Sequence, residues 1–138
     1  MTKGKTVQVR RGDAQLYLHK AIQFIEQARA GLDATRNDAA LLAAIHAAIS
    51  GADAVTVALA GVRSTDPDHH RAADLLEEVV ASTQEGRERA RQLRALIARK
   101  NTVEYESRKA SARDARDGVE RAGRIVDWAT QVLAKARL

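Results

Sequence analysis

The chain has 138 residues, enough for one domain built on a single core. Its 23 Lys plus Arg against 18 Asp plus Glu give a formal net charge of +5. It has 28 Ala, one Pro, no Cys and four aromatics: Tyr17, Phe24, Tyr105 and Trp128. The missing Cys excludes disulfide scaffolds, Cys-ligated zinc and thiol nucleophiles, and fits a cytoplasmic protein. Ala is the best helix former and is depleted in strands, so the composition points to an all-α bundle with a thin core of Leu, Val, Ile and Ala. A core this thin leaves burial for a second chain to supply. No run approaches ~18 uninterrupted apolar residues, so no membrane span is expected. No apolar run follows Lys3, Lys5, Arg10 and Arg11, so the N-terminus does not read as a signal peptide.

Residues 1–12 read as a flexible basic arm, ordered only against a partner, with a brief alternation at Thr6-Val7-Gln8-Val9. A single helical domain spans residues 13–138. Asp13 caps a first helix over about 14–30, whose apolar face is Ala14, Leu18, Ala21, Ile25, Ala28 and Leu32, widened by Tyr17 and Phe24. A second helix runs over about 39–60 and stops at Gly61; it is apolar nearly all round, which makes it the buried centre. Gly51 inside it suggests close helix approach. Pro67 is expected in the first turn of a third helix, 67–82, that buries Ala72, Leu75, Leu76, Val79 and Val80. A fourth helix, 85–99, buries Ala90, Leu93, Leu96 and Ile97, and residues 100–110 read as a loop. Ser111 then opens a capping box for a last helix to about 136, with Ala115, Val119, Ala122, Val126, Ala129, Leu133 and Ala136 at alternating spacings of four and three. The sum is an up-and-down bundle of four to five helices.

The modest net charge hides an uneven layout. Residues 13–86 carry 5 positive and 11 negative side chains, whereas residues 87–138 carry 14 positive and 7 negative. Arg87, Arg91 and Arg94 lie at i, i+4, i+7, a stripe suited to phosphates, with Arg99, Lys100, Arg108, Lys109 and Arg113 as extensions. The bland alternative is a solvated helix face, and no aromatics interleave the stripe to stack bases.

Three further groups carry candidate chemistry. Arg63 precedes His69 and His70 at a spacing that lets a guanidinium and an imidazole meet on one phosphodiester, the His moving a proton and the Arg stabilising charge. Against this, Asp66 and Asp68 would repel a phosphate, and two exposed histidines at a helix start is the plainer reading. His46, Ser50 and Asp53 form a column on one face of the second helix. A helix stacks them without a nucleophile elbow, so a structural polar column fixing helix register or a dimer contact outweighs a triad. Lys100, Asn101 and Tyr105 end the fourth helix as capping and packing residues. No metal site is expected, since Glu-x-x-His is absent and the His pair has no supporting motif.

Several segments together carry a family pattern: Lys20-Ala21-x-x-Phe24, Ala44-Ile45-His46-Ala47-Ala48-Ile49, Ala52-Asp53-Ala54, Asp68-His69, Leu93-x-x-Leu96-Ile97-x-x-Lys100 with Tyr105, and Ala122 with Trp128-Ala129. The chain resembles the HEPN superfamily (higher eukaryotes and prokaryotes nucleotide-binding), in particular its small stand-alone bacterial members, over about residues 14–136. The resemblance implies an all-α bundle, a homodimer, RNA or a protein as partner, and no cofactor. It also implies a toxin–antitoxin or defence setting, with a nucleotidyltransferase-like protein or an antitoxin as partner. Family ribonucleases use Arg, often a polar residue, then His, and join two such motifs across the dimer. Arg63 with His69 or His70 matches the spacing without the polar Asn, and Lys100-Asn101 with Tyr105 has Lys for Arg and no His. The expectation is a HEPN-like protein with a degenerate catalytic motif. The alternatives are an active metal-independent ribonuclease using Arg63 and His69 or His70, and a helical interaction module without a nucleic-acid role.

Overall fold

The computed structural model describes residues 4–106 and 109–138, so Lys3 of the arm and Arg108 of the stripe fall outside it. The bundle is all-α: α1 (Ala14–Asp33), α2 (Asn37–Ala60), α3 (His70–Val79), α4 (Gln84–Ala98), a short α5 (Lys100–Tyr105) and α6 (Ala112–Lys135). Helix α2 is the centre. Leu41, Ile45, Val55, Thr56 and Val57 are almost fully buried; α1 and α6 pack along α2, and α3 and α4, with buried Leu75, Leu76, Leu93 and Leu96, cover part of what remains. Length and composition alone would let α2 cross a membrane, yet most of that stretch is buried inside the bundle.

The expected core faces of α1, α4 and α6 are buried nearly residue for residue. Thr83 caps α4 by accepting from the Gly86 N–H at 3.0 Å, and Ser111 caps α6 by accepting from the Asp114 N–H at 3.0 Å. Gly61 ends α2 in the left-handed region at φ 64°, which a Cβ would penalise. Close approach of helices is sharper at Gly118 than at Gly51. A Cβ on Gly51 would meet Ile125 Cγ2 at 3.4 Å, whereas one on Gly118 would collide with the buried Leu41 side chain.

Four local expectations are corrected. The arm is not free: β1 (Thr6–Gln8) pairs antiparallel with β2 (Val62–Ser64), in the register Thr6↔Ser64, Val7↔Arg63, Gln8↔Val62. Gly61 turns the chain out of α2 into extended backbone, and the arm supplies the ladder partners that this segment would otherwise lack. The Arg11 Nε–H adds a bond to the Ala58 carbonyl at 2.6 Å, satisfying an end of α2. Pro67 lies before α3, which begins only at His70, because Asp66 and Asp68 organise the preceding turn through their carboxylates. Residues 100–105 are helical rather than loop, held by a Lys100–Glu104 pair one turn apart and by Val103 against the core. Phe24, expected on the core face, is 38 % exposed.

Candidate functional site

One face of α2 is left partly open, and the polar column lies along it. His46, Ser50 and Asp53 are half-buried rather than core residues. At its N-terminal end the His46 ring stacks on Phe24 of α1, with centroids 5.5 Å apart and planes 30° from parallel. His69 joins His46 from the cap of α3, and Lys100 and Glu104 join from α5. These groups are far apart in sequence, and only the packing of α3 and α5 beside α2 gathers them.

The electrostatics of this end are consistent. Burial holds His46 below the usual imidazole value, Lys100 and His69 push it further down, and Glu104 opposes them. Burial likewise lowers His69, helped by Lys100 and His70 and opposed by Asp68 and Glu104. Both rings therefore favour the neutral form near pH 7, in which one nitrogen accepts a proton and the other donates. Lys100 pairs with Glu104 and sits 5.9 Å from the Tyr105 ring centroid. Tyr105 is 74 % exposed, so it is no packing residue. Asn101 is also exposed, and His70 stands out from the first position of α3.

Arg63 belongs to the other end of the column. Strand pairing fixes its backbone, its guanidinium lies 5.4 Å over the Tyr17 ring, and it acts on Asp53 together with Lys20. Burial pushes the Asp53 carboxyl up to about 7 against the pull of Arg63 and Lys20. The cation that acts on His69 is thus Lys100, while Arg63 serves Asp53. Asp66 and Asp68 are occupied: Asp66 accepts from the N–H groups of Lys5 at 3.1 Å and Asp68 at 2.9 Å, and Asp68 accepts from the His70 N–H at 3.0 Å.

The α4 stripe divides. Arg94 donates to Asp74 at 2.7 Å and Glu77 at 2.6 Å, which ties α4 to α3 and removes it from the phosphate-facing set. Arg87 donates to the Ala81 carbonyl at 2.7 Å and remains exposed. Arg91 is exposed beside Arg121 and Arg124 of α6, lining a shallow cavity of about 370 Å³ that also holds Glu88, Gln92 and Asp117. Arg121 and Arg124 were invisible as partners of Arg91 because they come from another helix; only the surplus of positive charge after residue 87 hinted at them. Lys20 and Phe24 belong to the family pattern without being marked by it as site residues, and Glu104 carries no such signal in sequence. Among the described residues, no three His, Cys, Asp or Glu side chains group to hold a metal ion.

The family whose model matches the chain is described as HEPN domain, and the match runs over residues 14–133. No curated protein and no solved structure matches.

Proposed function

The chain belongs to the HEPN domain family, and from that premise we propose that it acts on RNA as a cytoplasmic homodimer, with the face bearing His46, His69 and Lys100 receiving the phosphodiester. The observation that carries this reading is that two neutral-leaning imidazoles and the Lys100–Glu104 pair act on one another beside the partly open face of α2. Lys100 supplies charge, the exposed Asn101 and Tyr105 supply hydrogen-bonding groups, and Phe24 offers an apolar ring edge beside His46. Arg87, Arg91, Arg121 and Arg124 add phosphate attraction without sequence reading. The family setting adds a nucleotidyltransferase-like or antitoxin partner.

A second reading, metal-independent cleavage, is favoured by the lowered His69. A neutral His69 takes the proton of a ribose 2′-hydroxyl as its oxygen attacks phosphorus. The bond to the 5′-oxygen breaks, and that oxygen leaves with a proton from solvent, while Lys100 faces the developing charge and His69 returns to the neutral form by releasing its proton to water. Incubation of the protein with mixed RNA in EDTA separates the two readings. Degradation lost in His69→Ala supports cleavage, and RNA that is bound yet intact leaves binding alone. Absence of both at micromolar protein would contradict an RNA role and favour a helical protein-interaction module.

A further inference from the structure

A groove on another side of the bundle is built unlike the α2 face. The ends of α2 and α3, the start of α4 and the last turns of α6 border a cavity of about 490 Å³. Pockets for small molecules span about 300–1,000 Å³. The apolar wall comes from Leu59, Val79, Val80, Trp128 and Val132. Trp128 and Val80 are 6 % and 4 % exposed and make the floor, while Leu59, 45 % exposed, stands at the mouth. Leu59 lies nine residues beyond Ser50 on α2, about two and a half turns at about 3.6 residues per turn. The groove therefore faces away from the column of His46, Ser50 and Asp53.

The charged groups at this groove are uneven in sign. Arg11 and Lys135 both border it, and among the described residues no carboxylate pairs with either. The Arg11 Nε–H bond to the Ala58 carbonyl fixes the guanidinium and leaves its two terminal nitrogens for another acceptor. The one carboxylate among the described lining residues, Glu85, is committed to Arg89 at 3.4 Å. The Thr83 oxygen already accepts from the Gly86 N–H, so the start of α4 is capped from within and the cations are what remains for an anion.

We propose that this groove binds a small organic anion with an apolar body, a medium-chain or aromatic carboxylate. The apolar body covers Trp128, Val80 and Leu59, and the carboxylate meets Arg11 and Lys135 at the rim. Apolar burial supplies the affinity, and the two cations set the orientation and select an acid over a neutral molecule. A nucleotide is a poor fit, because its ribose hydroxyls would lose water against aliphatic walls. The site is independent of the RNA reading.

Trp128 is the only Trp of the chain and lies in the wall, so its emission reports occupancy directly. The test is titration of the full chain with octanoate, below its micelle concentration, read by Trp128 emission and by calorimetry. Octanol, of the same length and uncharged, is the control. Octanoate saturates one site, and octanol binds about fivefold or more weakly. Lys135→Ala, at an exposed position, removes the preference for octanoate without loss of fold. Leu59→Glu, at the half-exposed mouth, places a carboxylate beside the same cations and blocks octanoate. Melting curves of both variants confirm that they remain folded. The proposal is overturned if neither emission nor heat saturates at low-millimolar octanoate, which leaves the groove to a partner chain. It is also overturned if octanol binds as well as octanoate, or if both variants keep the wild-type affinity for octanoate.

Discussion

Asp53 carries a stability signature. Its carboxyl sits at about 7 in the fold, well above the value of an unfolded chain. Between roughly pH 4 and 7 the folded state therefore binds more protons than the unfolded state, and this group's contribution to stability declines as pH rises through that window. Asp53→Asn, which mimics the neutral acid, should melt above wild type at pH 8, by on the order of 1–3 kcal/mol, with the gap closing toward pH 4. Equal melting at pH 8 would mean that the ionised carboxylate is fully compensated by Arg63 and Lys20. Asp74 behaves oppositely. Burial would raise it, but Arg94 and Arg71 outweigh burial and hold it below the ordinary value. Single residues were legible in sequence as chemistry and illegible as neighbours. His69, Lys100 and His46 each stood out, yet their meeting depends on how α3 and α5 dock on α2. Arg94 was misplaced for the same reason: helical spacing put it with Arg87 and Arg91, while its carboxylate partners sit on α3.

Helices were the most readable elements because each buries a face at regular spacing. Leu93, Leu96 and Ile97 mark α4, and Val119, Ala122, Val126 and Ala129 mark α6, all buried as their spacing requires. Short elements were not readable. Strands of three residues and a six-residue helix show no periodicity, and α5 includes the β-branched Thr102 and Val103, poor helix formers that are held by tertiary contact. Glycines inside helices separate packing from propensity. At Gly51 a methyl group finds ordinary contact distance, so Gly51→Ala should be neutral or stabilising, by up to ~1 kcal/mol in thermal or urea melts. At Gly118 the methyl meets Leu41, which is 2 % exposed and has little room to yield. Gly118→Ala should cost about 1–3 kcal/mol. A stable Gly118→Ala would show that α2 and α6 can slide apart.

For the whole molecule, the charge layout has an internal use. The acidic middle and the basic last third meet across α3 and α4, where Arg94 joins Asp74 and Glu77, and within the basic part Asp117 of α6 occupies Arg99 and Arg121 at 3.7 and 3.2 Å. The basic surplus facing outward is therefore smaller than composition suggests, and affinity for RNA should depend on the α2 face as much as on bulk charge. Anisotropy of a labelled single-stranded RNA, titrated with wild-type protein and with a His69→Ala, Lys100→Ala double variant at two salt concentrations, tests this most directly. The double variant should bind at least about tenfold more weakly, with the salt dependence reduced by about one charge. A double variant with wild-type affinity and an unchanged salt slope would contradict the placement of RNA on this face.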